Sequence, residues 1–410
     1  MNRLKSIAKA FIEQGISSLG SFLFFFILAR SLQSERFGQF FAIWVGVQVM
    51  TSIAMAWIYL PVTSMSVSKE EEVAFYGVCL QRMLRLFYLV PVLMVLALYF
   101  TAKEILTLPL MFITAVSLCV VILTVDFLRY YLIRRGHKMG AALLVAARWT
   151  GGISLVLLLY RLQILTVKNA IFCMLSGNIL ALIVTALTIK HLQCDIKLVR
   201  SNELNHVVTK FSKPLLFQAL SGSASGVIVA FAMRSWISTA AFGAYQAQIS
   251  ICNIVSPLMQ MINTHYSSYL TRTSDFKQHR HIEYLLIIVG AGLVYLSWLF
   301  KESIVGNTIG SSYLSYSFLL PVIMFHTFIM LTKSLVGARI RRSGNTKVFI
   351  YSGLVGLLSS IVLIPTAKYI GSIQMVVLVI VLGAVMQLVM LKISTLPTRP
   401  ITKRHVILQG

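Results

Sequence analysis

The chain is expected to be an all-α polytopic membrane protein with twelve transmembrane helices in two pseudo-symmetric six-helix bundles. Three observations predict this. Apolar stretches recur roughly every thirty residues, each about twenty residues long, which is what a helix needs to cross the hydrocarbon core. The mean hydropathy is +0.83 and 58% of the 410 residues are hydrophobic, which would leave a soluble globule without a polar coat. Lys and Arg gather in alternate gaps between the apolar stretches, as in a chain threaded back and forth with its basic loops held on one side.

The first bundle, 1–190, contains spans at 15–31, 37–62, 84–100, 105–130, 140–160 and 166–189. A polar connector, 191–213, precedes the second bundle, 214–391, with spans at 214–237, 242–262, 284–300, 313–337, 348–365 and 371–391; residues 392–410 form a tail. The basic gaps begin with Arg3, Lys5 and Lys9, then Lys69, Arg82 and Arg85, then Arg129, Arg134, Arg135 and Lys138. They continue through the connector, Arg272, Lys277 and Arg280, then Arg339 to Lys347, and the tail. The intervening gaps hold little more than Arg30, Arg36, Lys103, Arg161, Lys168, Arg234, Lys301 and Lys368. Strict alternation places both termini in the cytoplasm. The first span lacks a small-residue cleavage site and runs directly into the second, so it is expected to be a retained helix and not a signal peptide.

The formal charge of +24 is spread over every inner loop and accompanies no soluble domain. Topology and the anionic headgroups of membrane lipids account for it, and no nucleic-acid partner is expected. Cys79, Cys119, Cys173, Cys194 and Cys252 are scattered with no CxxC and no paired His, so neither a metal nor a disulfide is implied. No cofactor motif stands out. A GxxxxGK[ST] phosphate loop, HExxH and GxSxG are absent from the sequence, which argues against ATP hydrolysis by that route and against enzymatic chemistry.

The chain repeats itself across the connector. Shifted by about 204 positions, Lys9, Gln14, Ser17, Ser21, Arg30, Ser31 and Ser34 fall on Lys213, Gln218, Ser221, Ser225, Arg234, Ser235 and Ser238. After a one-residue insertion, Phe37 and Gly38 fall on Phe242 and Gly243, and at about 207 Arg134 and Arg135 fall on Arg341 and Arg342. Two six-helix units entering the membrane from the same side form a parallel repeat, an arrangement that builds transporters with the substrate path between the halves.

The stretch ARSLQSERFGQF, Ala29 to Phe40, resembles the first-loop signature of polysaccharide-transport flippases of the Wzx type, in the multidrug, oligosaccharidyl-lipid and polysaccharide exporter superfamily. MRSWISTAAFGAYQAQ, Met233 to Gln248, is similar to the phrase that opens the eighth helix in that family, and DFLRYYLIRRGHKMG, from Asp126, resembles its basic inner loop. The resemblance implies a multi-pass protein of the bacterial inner membrane. Its cargo would be an undecaprenyl-diphosphate-linked oligosaccharide, flipped to the outer leaflet, with a polysaccharide polymerase and a chain-length regulator as partners. A multidrug and toxin extruder shares the same superfamily architecture. A glycan polymerase is a third reading, disfavoured by the short outer loops.

Moving such a cargo demands a wet, polar cavity, because each sugar hydroxyl left unpaired in hydrocarbon costs roughly 2–7 kcal/mol and a diphosphate far more. Gln14 and Ser17 in the first helix, Gln218 in the seventh, and Gln246, Asn253 and Gln260 in the eighth lie at helical spacing on single faces. Small polar residues also glue helices together, so packing is the competing role. Ionisable residues at membrane depth are rarer and point to function. Arg148 lies near the middle of the fifth span and is the first candidate for gripping a diphosphate, with a structural salt bridge as its alternative. His326 and Lys333 lie in the tenth span, and Arg30 and Arg234 occupy equivalent positions where they would rim the cavity or anchor helix ends. Asp126 and Lys333 are equivalent under the 207 shift and are expected either to gate by pairing across the halves or to be satisfied locally. Glu13 would carry a coupling proton or balance Lys9 at the interface.

Overall fold

Backbone polar groups cannot go unpaired in hydrocarbon, so a chain this apolar has to bond them within helices, and every regular element among the described residues is helical. The computed structural model describes residues 2–65, 67–68, 70–192, 201–255, 278–343 and 347–394, with side chains left out at 2–11, 278–283, 285 and 341–343. Nine helices among the described residues are long and apolar enough to cross a membrane, or ten if a pair bent by 79° between Leu286–Leu299 and Lys301–Thr308 is one span. This is a multi-pass membrane protein.

The first helix, α1 (Asn2–Ala54), has 53 residues. At about 1.5 Å per residue that exceeds twice the roughly 30 Å hydrocarbon core, so it cannot make one crossing. It breaks at Gln33, whose φ of 57° and ψ of 165° interrupt the helical backbone between the first two expected spans. A non-glycine residue held there costs about 1–3 kcal/mol. Leu32 and Phe37 on either side are fully buried and fix the corner. Phe24, Phe25, Phe40, Phe41 and Trp44 then zip the two arms together. The second arm continues through a π-helical turn, Met55–Tyr59, into Leu60–Ser64.

There follow α2 (Glu72–Thr101), α3 (Pro109–Arg134), α4 (Lys138–Arg161) and α5 (Val167–His191). Past the connector come α6 (Asn202–Trp236), α7 (Thr239–Cys252), α8 (Gln278–Leu299), α9 (Leu319–Ser343), α10 (Val348–Pro365) and α11 (Ile373–Ile393). Local signals start them: Pro109 sits in the first turn of α3, while Thr166, Ser201 and Ser238 accept a backbone N–H as N-caps of α5, α6 and α7. Three boundaries differ from expectation. The seventh helix begins at Asn202, inside the expected connector, because Ser201 caps it and Pro214 is tolerated within it. The tenth begins at Leu319, since Gly310 at φ 106° opens a separate 3-10 turn over Ser311–Tyr316. The eighth ends at Cys252 and turns 3-10 over Asn253–Val255, and the rest of that expected span lies outside the described residues.

The sequence repeat is also a packing repeat. Gly38 of α1 and Gly243 of α7 lie against each other: a Cβ on Gly38 would meet the Thr239 carbonyl and the Gly243 amide, and one on Gly243 would meet the Ser34 carbonyl and the Gly38 amide. These reciprocal contacts join two positions that match in the sequence repeat, at a small-residue crossing that lets backbones approach. A second echo is the crossing of Gly152 on Gly177 in the first half, matched by Ser359 on Gly383 in the second.

Loop contacts sort into two ends. Arg30 donates to the Asn307 carbonyl at 3.4 Å and Arg234 pairs with Glu104 at 2.7 Å, linking loops expected on one side. Arg134 donates to the Val62 and Met65 carbonyls and Arg135 pairs with Glu72 at 3.2 Å, linking loops expected on the other. Gly243→Val should force the two backbones apart and cost about 1–3 kcal/mol of overpacking, read as a lower melting temperature of the detergent-solubilised protein. Gly222→Ala, where nothing lies within 4 Å, should leave it unchanged or raise it slightly, because Ala is about 1 kcal/mol the better helix former.

Candidate functional site

The deep charges of the first half are not free cations. Glu13 and Gln14 on α1 face Arg129 on α3; Glu13 is 1% exposed and its carboxylate lies 2.6 Å from the guanidinium. Arg129 also donates to Gln14 Oε1 at 3.5 Å. One turn back on α3, Asp126 pairs with Arg148 of α4 at 3.1 Å, and the Arg148 guanidinium lies 5.0 Å from the Trp149 ring centroid. Tyr59 closes the cluster, donating to the Leu123 carbonyl at 2.8 Å and stacking on Tyr130 at 5.0 Å. Two carboxylates thus neutralise two guanidiniums. Among the described residues, Gln14 Nε2, Arg148 Nε and Trp149 Nε1 have no acceptor and Glu13 Oε2 has no donor, all four atoms being buried.

These contacts correct several expectations. Arg148 makes the structural salt bridge that was its alternative role, paired with Asp126. Glu13 is buried against Arg129, and the Lys9 side chain lies outside the described residues. Asp126 and Lys333 are not brought together; each has a partner within its own half.

The second half carries Lys333 with no carboxylate partner among the described residues; its ammonium bonds Gln387 Oε1 of α11. His326 lies two turns before it on α9, so both share one face, and both are half-buried. Gly356 of α10 makes room for Gln387, since a Cβ there would overlap the amide.

The polar stripes divide between roles. Ser221 and Gln218 of α6 rest on Gly353 of α10, and Ser225 bonds the Ser221 and Gly356 carbonyls, so the serine stripe of α6 is helix packing. Ser17 and Gln246 are buried, Asn253 is half-buried at the end of α7, and Ser250 back-bonds the Gln246 carbonyl at 2.9 Å. Gln260 lies outside the described residues. Arg30 is exposed, and Arg234 has Glu104 as its partner.

Sequence reasoning missed three residues. Arg129 was grouped with the basic loop, although one helical turn from Asp126 puts it at the depth of Glu13. Gln387 gave no signal beyond being a lone amide in an apolar span. Arg82 was counted as loop charge, yet it is 2% exposed and joins the halves. It donates to the Trp57 carbonyl at 3.3 Å on one side and, on α6, to Asn205 at 2.9 Å, Thr209 at 2.6 Å and Ser212 at 3.1 Å. The π-helical turn at Met55–Tyr59 carries that Trp57 carbonyl, a place where such turns often mark function.

No family model matches the sequence, and no curated protein matches it either. Solved structures do match in shape. An inward-facing multidrug resistance MATE family transporter of the MOP superfamily is 12% identical with a TM-score of 0.65, over 93% of this chain and 96% of that one. A eukaryotic MATE transporter is 13% identical with a TM-score of 0.56, over 97% and 96%. A Vibrio cholerae MATE transporter in its bent form is 12% identical with a TM-score of 0.55, over 95% and 97%. The chain therefore has the fold of MATE transporters of the MOP superfamily.

Removing one partner of a buried pair strands the other. Arg129→Leu should destabilise the protein by about 3–5 kcal/mol, and adding Glu13→Leu should recover much of the loss, measured as melting temperature in detergent. Arg82→Lys should lose nearly as much as Arg82→Ala, because an ammonium cannot span the same fork of acceptors.

Proposed function

We propose that the protein translocates an undecaprenyl-diphosphate-linked oligosaccharide from the cytoplasmic to the outer leaflet of the bacterial inner membrane. Alternating access would occur between two six-span halves, with twelve spans in all and both termini cytoplasmic. The observation that carries this reading is Lys333: a cation at membrane depth, held by an amide and, among the described residues, by no carboxylate, would be available to a phosphate. His326 on the same face would add hydrogen bonds. Arg148 keeps a secondary role: its Nε, with the Gln14 and Trp149 donors, is buried and would meet sugar oxygens only where the cluster around Asp126 opens. Gln246, Asn253 and Gln260 would continue that polar wall, with Ser17 and Gln218 closing it by packing. Arg30 and Arg234 would rim the cavity at the outer end, and Asp126 and Glu13 would set coupling through their arginine pairs.

A multidrug extruder is the second reading, favoured by one observation: a buried carboxylate, Glu13, and a half-buried one, Asp126, which would hold an organic cation if their arginines swung away. The two are separated by Lys333. In cells whose surface glycan depends on this protein, Lys333→Ala should abolish the glycan and accumulate undecaprenyl-linked repeat units at the inner leaflet, with Lys333→Arg retaining activity. Unchanged glycan in Lys333→Ala, together with drug resistance lost in Asp126→Asn, would select the extruder.

A further inference from the structure

At the end expected to lie opposite Arg82, two arginines cross between the halves in opposite directions. Arg30, near the end of the first arm of α1, donates to the Asn307 carbonyl at 3.4 Å, and Arg234, in the last turn of α6, pairs with Glu104 at 2.7 Å. The repeat relates the two contacts: Arg234 follows Arg30 by 204 positions and Asn307 follows Glu104 by 203. Glu104 sits in the short helix Lys103–Leu106 between α2 and α3, and Asn307 in the short helix Lys301–Thr308 between α8 and α9. Each half therefore holds the other's outer loop. Beside each brace lies a second contact across the halves: Tyr313 donates to the Ala29 carbonyl at 2.9 Å, and the Phe100 ring stands edge-on to Phe231 at 6.0 Å. Along the chain both braces stand off the glycine crossing, Arg30 eight residues before Gly38 and Arg234 nine before Gly243.

We propose that these arginines form an outer gate: each grips the opposite half's loop while the outer side is closed, and both let go when it opens. The gate presupposes the alternating access proposed above and is indifferent to the cargo. Its strength fits the role. The Glu104 side chain is 54% exposed and Arg30 is exposed, and exposed ion pairs hold weakly in water. The 3.4 Å contact of Arg30 is long for a hydrogen bond. Such braces bias a closed state without locking it, whereas Arg82 is buried and spreads its donors over Trp57, Asn205, Thr209 and Ser212. Because the two braces run in opposite directions between the halves, rocking the halves apart at this end loosens both at once. An anchor within one half would hold only its own loop and would not respond to how the halves meet.

Spin labels on the full-length protein in lipid nanodiscs test the gate, with Cys79, Cys119, Cys173, Cys194 and Cys252 replaced by alanine. One labelled pair, Lys168→Cys with Lys368→Cys, reads the outer end, and another, Arg85→Cys with Lys347→Cys, reads the inner end, all four positions being exposed. Double electron–electron resonance of the parent should give one dominant outer distance. Arg30→Ala with Arg234→Ala should raise a longer outer population about two- to tenfold without lengthening the inner distance. Glu104→Arg should act in the same direction, and Glu104→Arg combined with Arg234→Glu should return the short distance. High salt should lengthen the outer distance in the parent and add nothing in the double alanine variant. Arg161→Ala, at an outer arginine outside both braces, should change neither pair. Parent-like outer distances in the double alanine variant and in Glu104→Arg, with Arg82→Ala still lengthening the inner distance, overturn the gate and leave alternating access standing. Distances fixed at both ends in every variant remove alternating access itself, and the gate with it. Should the double variant fail to fold, the charge swap and the salt response of the parent decide.

Discussion

A charge in hydrocarbon has to be neutralised or wetted, and that requirement organises the interior of this molecule. Moving an ion into a low-dielectric medium costs several kcal/mol even after relaxation, roughly 20 in the idealised limit, so an isolated arginine in a span is not a neutral design choice. The first half answers with carboxylates. Glu13 meets Arg129 and Asp126 meets Arg148, drawing α1, α3 and α4 around one zwitterionic core. The second half answers Lys333 with an amide, Gln387, and with no carboxylate among the described residues. Difference in neutralisation, more than any difference in backbone, separates what the two halves can do.

Backbone contact sets how those halves meet. At one end Gly38 and Gly243 bring α1 and α7 together with no side chain between them, and Tyr313 reaches across to the Ala29 carbonyl at 2.9 Å. At the other end the join is polar and one-sided: Arg82 ties the π-helical turn after α1 to the start of α6. A glycine crossing tolerates a change of angle between helices because it holds no interlocked side chains. A five-donor guanidinium has to be released bond by bond. Rotation of one half on the other would therefore pivot near the glycines and be resisted at Arg82.

Much of the fold was legible in the sequence because it follows from one constraint, backbone satisfaction in lipid, acting on segments of the right length. The break between the first two spans was readable from the polar QSER stretch, and the repeat was readable because Gly38 and Gly243 keep register. Helix ends outside the hydrocarbon were less so: nothing in hydropathy marks the start of α6 at Asn202, where a serine cap and not an apolar face decides. At the site, depth could be inferred and pairing could not. Arg148 and Asp126 sit 22 positions apart on neighbouring helices, and only the rotation of each helix about its axis, which a single sequence leaves open, determines that they touch. The same ignorance hid Arg82, whose acceptors are neutral and leave no charge pattern to find.

The repeat turns the contrast between the halves into an argument about cargo. Under the shift of about 207, Arg129 and Arg148 correspond to Val336 and Val355, and under 204 Glu13 corresponds to Phe217. The crossing of Gly152 on Gly177 has a near counterpart in Ser359 on Gly383, the first residue at a shift of 207 and the second one position short of it. Three of the four charges of the first-half core thus have apolar counterparts, and the fourth, Asp126, has Lys333. If the halves descend from one unit, the second has shed a balanced network and kept a single charge of reversed sign. A structural ion cluster needs balance, since an unmatched member costs more than it stabilises. Lys333, answered by an amide, has no such balancing carboxylate among the described residues.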